Sequence, residues 1–390
     1  MKEYIFYSTI FCLFSEALQI HFGIDIKLFY LIVLTNFFFL LVKYGSQVKF
    51  NYWHLATLLY LGVTGIASVA TGTNKIGPFL EQIVGISVTS IYFYLFLKTY
   101  SSLGILRIFN TYANFCYIIA LIGFSKLFVQ LFLPVDYWRF ESIFKEPAHY
   151  ITVVFPSIYY FYKTGAQKKF FVMLLSLLLT LSAVGYIGLV IAILINSKVN
   201  TKYLFFSLLF AIIFLTTAYK TSVQFAERID DTVVAISSAD IGKANLSSYA
   251  LVSNLLVAVK SFQSNPIFGS GLGSHQLSHD KYISKLAGIE NFDQYLNLNS
   301  NDANSLLLRV ISDLGLTGTV LVFIFLLKHY SRKTDTDSII TKGIFLYFFC
   351  KLLREGHYFS PEMYFFVFLY YFNAKQSPKN PDIIAKTALI

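Results

Sequence analysis

The chain has 390 residues, of which 56% are hydrophobic and only 13% are charged. Because about 25% of the residues of a soluble domain are charged, this composition excludes a soluble globular protein and indicates a polytopic membrane protein. The formal net charge of +10 would suggest nucleic acid as a partner of a soluble protein. In a membrane protein, an excess of Lys and Arg marks the cytoplasmic loops instead, so we expect no nucleic acid partner.

Apolar runs close to the length that crosses ~30 Å of hydrocarbon as a helix recur along the whole chain. They predict an all-α integral membrane protein, a polytopic bundle of about 12 transmembrane helices with one long external loop. The seventh and eighth runs are continuous, and we interpret residues 182–185 as a tight hairpin between them; a single tilted helix is the alternative. The predicted spans cover residues 4–20, 28–42, 53–70, 79–97, 109–132, 149–162, 170–182, 184–196, 203–218, 314–328, 339–353 and 359–372.

Basic residues fall mainly in alternate loops when the N-terminus is placed in the cytoplasm, as the positive-inside rule requires. Both termini are then cytoplasmic. A single span at 170–196 would move Lys328, Arg332 and Lys333 to the outside, which favours the hairpin. Four domains result. Residues 1–218 form an N-terminal transmembrane bundle with an external loop at 134–148, and residues 219–313 form a long external loop. Residues 314–372 form the C-terminal transmembrane helices, and residues 373–390 form a cytoplasmic tail.

The external segments carry four polar blocks. The first, at 138–148, reads WRFESIFKEPA, and the second, at 265–274, reads NPIFGSGLGS and includes Gly269, Gly271 and Gly273. The third, at 301–309, reads NDANSLLLR and leads into an apolar helix, and the fourth, at 353–358, reads LREGHY. Glycine-rich turns are common, so each block alone is weak evidence, but their order between membrane spans is distinctive.

In this order, the blocks resemble the signature of the O-antigen polymerase (Wzy-type) and O-antigen ligase superfamily. The resemblance implies a GT-C-like glycosyltransferase, a polysaccharide polymerase in O-antigen, lipopolysaccharide or exopolysaccharide biosynthesis. It would join undecaprenyl-diphosphate-linked oligosaccharide repeat units on the periplasmic face of the bacterial inner membrane. The implied partners are the lipid-linked oligosaccharide, the lipid bilayer and a chain-length regulator. A diphosphate is a good leaving group, so we expect no cofactor and no metal, and a single displacement that inverts the anomeric centre.

Arginine suits the binding of a diphosphate, because its planar fork makes two charge-assisted hydrogen bonds to phosphate and remains protonated. Four arginines are assigned to the external side and are our candidates for this role. For each of them the alternative is a snorkelling or ion-paired structural residue, and Arg228 has acidic neighbours that favour pairing. The candidates are Arg139, Arg228, Arg309 and Arg354.

The general base has several candidates. Asp302 could accept a hydroxyl proton if partial burial raises its pKa, or it could be a helix N-cap. Glu146 is the second candidate base, with a helix-start carboxylate as its alternative role. His357 could carry a proton or contact the diphosphate. The ligase branch has a His immediately before the residue that corresponds to Asn304, where this chain has Ala303, which favours a polymerase over a ligase.

Two further features have competing interpretations. The glycines of the second block form either a strained turn or a nest that contacts phosphate. His275 and His279 are four residues apart and could bind a metal only if the segment is helical. Two other functions stay open as well. A ligase would transfer the glycan to another acceptor, and a lipid-linked oligosaccharide flippase or transporter would have a similar number of spans, with its charges in midplane cavities.

Overall fold

The computed structural model describes residues 1–21, 25–45, 51–130, 132, 139–196, 246–285, 296–331 and 335–376, with ten scattered residues between 216 and 234. This part of the chain is almost entirely helical, as predicted. A two-stranded antiparallel pair, β1 (Gln19–His21) and β2 (Asp25–Lys27), is a local exception, with Gln19 opposite Lys27 and His21 opposite Asp25.

The helices within the described ranges are numbered in chain order. Two short 3-10 turns, Ser101–Leu103 and Ile283–Lys285, extend α4 and α10. The helices are α1 (Lys2–Cys12), α2 (Leu28–Tyr44), α3 (Tyr52–Ala70), α4 (Ile76–Tyr100), α5 (Ile105–Gln130), α6 (Pro147–Thr164), α7 (Gln167–Leu179), α8 (Ala183–Ile195), α9 (Leu246–Ser264), α10 (His275–Tyr282), α11 (Leu306–His329), α12 (Thr336–Leu353) and α13 (Met363–Gln376).

Four helices are long and apolar enough to cross a bilayer: α3, α4 with its 3-10 extension, α5 and α11. Helices α2 and α8 are apolar but shorter. The protein is therefore a helical membrane protein. The predicted span at 203–218 lies almost wholly outside the described residues, as does most of the loop at 219–245.

The first predicted span, 4–20, is wrong in its second half. Helix α1 ends at Cys12, and its 11 residues are only ~16 Å long at 1.5 Å per residue. The following residues form turns, in which the Ser15 hydroxyl donates to the carbonyl of Cys12. Glu16 is buried and contacts His149 of α6. A buried carboxylate with a partner on another helix explains why hydropathy alone overestimates the length of this helix.

The run at 170–196 is broken into two helices, but three residues earlier than predicted. The break lies at 180–182, where Leu181 has a φ of 50°, and residues 183–185 already belong to α8. A Cβ added to Gly185 would lie 3.4 Å from the side chain of Leu177. Eight residues of one continuous helix span ~12 Å, so this contact requires the chain to fold back and excludes a single tilted helix.

Helix α6 lies at the centre of the fold and packs along α7, α8 and α12. Small residues permit the closest approaches, as is usual between membrane helices. A Cβ on Gly343 of α12 would lie 3.1 Å from the carbonyl oxygen of Pro156 in α6, and one on Gly188 of α8 would lie 2.7 Å from the ring of Phe155. Helix α6 begins with Pro147 at its first turn and ends at Gly165, whose φ of 74° gives a left-handed cap.

Helix α11 is interrupted at Gly315, which has φ 60° and ψ −151°. The segment from Leu306 to Leu314 is therefore a separate helical piece in front of the predicted span at 314–328, and the predicted boundary between residues 313 and 314 falls at this kink. The break removes the helical hydrogen bonds that the N–H groups of Leu316 and Thr317 would donate to the carbonyls of Ser312 and Asp313.

The glycine-rich loop at 266–271 replaces both bonds. Leu316 N–H donates to the carbonyl of Pro266 at 2.9 Å, and Thr317 N–H donates to that of Ile267 at 3.0 Å. In the other direction, the N–H groups of Ser270 and Gly271 donate to the carbonyls of Ser312 and Asp313, at 3.0 and 2.8 Å respectively. All four backbone groups freed by the kink are thus satisfied by one loop. An unpaired backbone group in an apolar environment would cost several kcal/mol.

We expect Gly315→Ala to destabilise the protein strongly. The added Cβ would lie 2.5 Å from the backbone nitrogen of Gly269, and the φ and ψ of Gly315 belong to a region that is essentially restricted to glycine, which alone costs roughly 1–3 kcal/mol. The control is Gly62→Ala in α3, where an added Cβ meets no atom within 4 Å. It should be neutral or stabilising by about 0.5–1 kcal/mol. Melting temperature and monodisperse yield in detergent measure both; equal behaviour of the two variants would contradict the role of the kink.

Candidate functional site

The third and fourth polar blocks dock on each other through their backbones. Glu355 N–H donates to the carbonyl of Asn304 at 3.0 Å, and the Ser305 hydroxyl donates to that of Leu352 at 2.7 Å. A Cβ on Gly356 would lie 1.6 Å from the carbonyl oxygen of Asp302, so only glycine fits at this contact. Glu355 itself has a φ of 74°, a conformation that side chains rarely adopt. The loop between α12 and α13 is therefore held in one register against residues 302–305.

Asp302 is not the N-cap of α11; that alternative is wrong. Ser305 holds this position, and its hydroxyl accepts from the N–H of Leu308 at 3.3 Å. Asp302 instead closes a turn, in which its Oδ1 accepts from the N–H of Asn304 at 3.1 Å. Asn304 contributes to the same turn, because its Oδ1 accepts from the side-chain amide of Asn299 at 2.8 Å.

The second oxygen of Asp302 faces His357. The distance from His357 Nε2 to Asp302 Oδ2 is 3.4 Å. Partial burial of the ring lowers the pKa of His357, while the negative charge of Asp302 raises it. Because 46% of the His357 side chain is exposed, solvent limits the lowering, and in either case the ring is neutral at pH 7. A neutral imidazole whose one nitrogen faces a carboxylate can accept a proton at the other.

A small pocket opens beside this pair. One wall is the loop between α12 and α13, with His357, Phe359, Ser360 and Pro361. The opposite wall is the end of β2 and the start of α2, with Glu16 nearby. Lys27, Phe29 and Tyr30 form that second wall, so a cation, three aromatic rings, an imidazole and a carboxylate meet in one place.

Arg309 is almost fully buried, and its guanidinium is engaged within the protein. Nη1 donates to the carbonyl of Gly356 at 3.0 Å, Nε lies 3.6 Å from Asp313 Oδ2, and the guanidinium lies over the ring of Tyr358 at 4.5 Å. These contacts anchor the fourth block to α11. The predicted role of Arg309 in diphosphate binding stays a prediction, and the described contacts favour the structural alternative.

Asp313 connects the second block to the same anchor. Its fully buried carboxylate accepts from the N–H of Gly273 at 2.9 Å, the hydroxyl of Ser274 at 3.2 Å and the hydroxyl of Tyr358 at 3.2 Å. The N–H groups of Gly269, Gly271 and Gly273 are all bonded within the protein. The glycines therefore form a structural turn whose amides are occupied, which disfavours the phosphate nest.

The remaining candidate arginines differ in their surroundings. Arg354 Nη2 lies 3.6 Å from Glu146 Oε2, where the side chains are 21% and 57% exposed, so the first and fourth blocks meet at the surface. Arg139 donates to the carbonyls of Thr180 and Leu181 at 3.1 and 3.0 Å, where it caps the end of α7. Arg228 lies outside the described residues.

His275 and His279 are both in helix α10 and both buried. His275 Nε2 is 2.9 Å from Asn254 Oδ1, and burial lowers the pKa of His275 to about 3, with a further contribution from Arg309. Within the described residues, the clusters of three or more ligand-type side chains do not include this pair.

Sequence analysis missed a cluster of buried ionisable residues on the inner side of the pocket. Lys351 Nζ lies 3.2 Å from Glu362 Oε1 and also contacts Glu355, while His149 contacts Glu16. The signal was present, since an ionisable residue within an apolar run is a functional candidate by default. It was overlooked because the five residues come from three distant segments, around residues 16, 149 and 351–362.

We expect Asp313→Ala to destabilise the protein by roughly 3–5 kcal/mol, because it leaves Arg309 and three hydrogen-bond donors buried without their acceptor. The control is Asp335→Ala, which removes an ordinary N-cap whose Oδ1 accepts from the N–H of Ser338 at 2.8 Å, at a cost of about 1 kcal/mol. The two variants are compared by thermal unfolding in detergent. If Asp335→Ala were the more damaging, the proposed anchor would be incorrect.

The buried His275 predicts a dependence of stability on pH. Its pKa is about 3 in the folded state and about 6.5 in the unfolded state, so the unfolded chain binds more protons between these values. Stability is therefore lost as the pH falls from 6.5 towards 3, by up to ~1.4 kcal/mol per pH unit from this group. In His275→Gln the melting temperature should fall less steeply between pH 6.5 and 4.5 than in the wild type. Parallel slopes would contradict this assignment.

The contacts described above are the structural evidence on the function of this protein. No family model matches the chain, and no curated protein is significantly similar to it. The resemblance to polymerases and ligases thus rests on the four residue blocks, and the roles of their residues are proposals.

Proposed function

We propose that the protein is a membrane glycosyltransferase of the polysaccharide polymerase type, which joins undecaprenyl-diphosphate-linked oligosaccharide repeat units on the periplasmic face of the bacterial inner membrane. One observation carries the proposal. The four blocks that suggest this chemistry are far apart in sequence, yet they form a continuous set of contacts: Glu146 with Arg354, Asp302 with His357, Arg309 with Gly356, and Asp313 with Gly273. A site assembled from distant segments is expected of an enzyme.

The Asp302 and His357 pair is the proposed base. When Nε2 carries the proton that faces Asp302, Nδ1 of His357 is free to accept the proton of the acceptor hydroxyl. The hydroxyl oxygen then attacks the anomeric carbon, the bond from that carbon to the diphosphate breaks, and the diphosphate leaves with the bonding electrons. A single displacement of this kind inverts the anomeric centre. Glu146 is the less favoured base, since its carboxylate is half-exposed and faces Arg354.

The diphosphate would bind at the surface cations rather than at the buried one. Arg354 is partly exposed, and its partner Glu146 is too distant for a strong hydrogen bond, so phosphate oxygens can replace that carboxylate. Lys27 lines the pocket beside His357 and can supply a second charge. Arg309 would act indirectly, because it holds Gly356 and thereby the neighbouring His357.

The number of membrane spans, the side of the membrane on which the termini lie and the GT-C-like arrangement are parts of the same proposal. A bundle of about 12 spans with both termini in the cytoplasm places the four blocks on one external face. Within the described residues, four helices are long and apolar enough to cross a bilayer and two shorter ones are apolar, so the count of about 12 spans stays part of this proposal. A GT-C-like arrangement, with the site at the outer ends of the helices, is what the resemblance implies.

A ligase is the second candidate, and one observation favours it. The ligase branch has an imidazole where this chain has Ala303, but the fold brings His357 to within 3.4 Å of the adjacent Asp302. The missing His is therefore weaker evidence against a ligase than the sequence suggests. A lipid-linked oligosaccharide flippase is the candidate from a different class, and the buried charges around Lys351 are the observation in its favour.

Deletion of the gene and electrophoresis of the surface polysaccharide would separate the three. A polymerase predicts that the ladder of long chains collapses to a single repeat unit attached to its final acceptor. A ligase predicts loss of every attached species, with long chains accumulating on the lipid carrier. An unchanged ladder with a defect in transport of the repeat unit would contradict both transferases.

We expect His357→Ala to reduce chain extension by roughly 10²–10⁴-fold, the usual contribution of a general base. Asp302→Asn should reduce it less, because the imidazole is retained but loses its orienting charge. His357 lines the pocket and Asp302 lies beside it, and neither is in the apolar core, so the amount of folded protein in the membrane should be unchanged. Normal ladder length in both variants would contradict the proposed base.

For Arg354→Ala we expect a loss of roughly 10²–10³-fold in chain extension, because one donor to the developing negative charge disappears. Arg354→Lys should recover only part of it, since lysine lacks the planar fork. Arg107→Ala, an exposed arginine at the start of α5, is the matched control and should extend chains normally. Equal extension by Arg354→Ala and Arg107→Ala would remove Arg354 from the site.

A further inference from the structure

Three buried side chains converge behind the pocket: His149 at the start of α6, Glu355 after α12 and Glu362 before α13. One ligand atom from each lies within 4.8 Å of the other two. His149 Nε2 and Glu362 Oε2 are 3.7 Å apart, too far for a hydrogen bond. Within the described structure, His149 Nε2, Glu355 Oε1 and Glu362 Oε2 are buried without a hydrogen-bond partner. Buried polar atoms of native proteins are normally satisfied, so three at one point need an explanation.

The other atoms of the same side chains are held in place. Glu362 Oε1 accepts from the hydroxyls of Ser360 and Tyr347 at 2.7 and 3.0 Å and from Lys351 at 3.2 Å. Glu355 Oε2 contacts the same ammonium group. Each carboxylate is thus oriented through one oxygen, while the other oxygen has no partner.

His149 is oriented in the same manner. Its Nδ1 contacts the carboxylate of Glu16, which fixes the ring and leaves Nε2 as the nitrogen that faces Glu362. A carboxylate on one imidazole nitrogen is the usual outer partner of a metal-bound histidine, because it fixes the tautomer and raises the basicity of the ligating nitrogen.

The charges of the cluster indicate the charge of the missing partner. The carboxylates of Glu16, Glu355 and Glu362 contribute −3 and Lys351 contributes +1, so the sum is −2 when His149 is neutral. Burying two uncompensated negative charges is costly. A divalent cation would bring the sum to zero. Protonation of both His149 and Glu355 would do the same, since burial raises the pKa of Glu355 to about 7, and the metal-binding experiment below separates these two cases.

We propose that His149, Glu355 and Glu362 bind a divalent cation, with Glu16 and Lys351 as the residues that position them. One imidazole and two carboxylates suit Mn²⁺ or Zn²⁺. Donor atoms around a tetrahedral ion with ~2.1 Å bonds are ~3.4 Å apart. The His149 and Glu362 atoms, 3.7 Å apart, are already close to this spacing, and all three ligand atoms lie within 4.8 Å of one another. The proposal departs from the expectation of a metal-free protein, and it does not depend on the proposed function.

The cation would join the segment after α1, the start of α6 and both ends of the loop between α12 and α13. That loop carries His357, which lines the pocket together with Glu16. We therefore assign the cation a structural role in fixing the pocket wall, with no contact to a reacting atom.

The test uses full-length protein purified in detergent, stripped with EDTA and then exposed to Zn²⁺ or Mn²⁺. After removal of unbound metal, elemental analysis should find about one equivalent per chain, and the melting temperature should rise relative to the stripped protein. Glu362→Gln and Glu355→Gln should lose both effects. Glu81→Gln, which changes an exposed glutamate of α4, is the matched control and should retain them.

Two results would overturn the proposal. If the wild type retained no metal and its melting temperature did not change, the cluster would be held by a proton shared between His149 and Glu362. If Glu362→Gln and Glu355→Gln bound as much metal as the wild type, the ion would lie elsewhere on the protein. Should these variants yield too little protein, the electron paramagnetic resonance spectrum of Mn²⁺ added to the wild type still decides whether a nitrogen ligand is present.

Discussion

Backbone hydrogen bonding at the kink of α11 constrains the rest of the site. A helix in an apolar surrounding can be broken only if the freed N–H and carbonyl groups find other partners. Here the break at Gly315 releases two donors and two acceptors, and the loop at 266–271 bonds to all four. Gly269 and Gly315 face each other at this point, since a Cβ on Gly315 would lie 2.5 Å from the backbone nitrogen of Gly269. The loop and the kink therefore exist only as a pair.

Charged side chains of α11 connect this junction to the loop that carries His357. Asp313 lies two residues before the kink at Gly315 and accepts hydrogen bonds from the N–H of Gly273, at the end of the glycine loop, and from the hydroxyl of Tyr358. Arg309, one turn earlier, holds the carbonyl of Gly356. His357 lies between these two held residues. Its position beside Asp302 is thus a consequence of contacts made on α11 and does not depend on the weak interaction between the two side chains themselves.

Hydropathy located the long apolar helices, such as α3, α5 and α11, because such runs have few other ways to satisfy their backbones in a bilayer. It did not predict α9 and α10, which lie within the predicted external loop at 219–313. It failed at the end of α1, where a buried Glu16 interrupts the run, and it placed the turn after α7 three residues too late. The residue blocks were recognisable from their composition. The structural role of Arg309 could not be predicted, because its burial depends on contacts with Asp313, Gly356 and Tyr358 from separate segments. The cluster around Glu362 was missed for the same reason. Its members are individually visible as ionisable residues in apolar sequence, but only the packing of the helices brings them together.

The two walls of the pocket differ in their freedom to change. The wall that contains His357 is fixed by backbone contacts, by the tight approach of Gly356 to Asp302 and by the left-handed conformation of Glu355. Substitution of Gly356 would therefore disturb the anchor as well as the surface. On the other wall, Phe29 is buried in the core, whereas Lys27 and Tyr30 are partly exposed at the start of α2, where residues can be exchanged with little effect on the backbone. Divergence in what this protein recognises would therefore accumulate at Lys27 and Tyr30, and a library for altered selectivity should be built at these two positions.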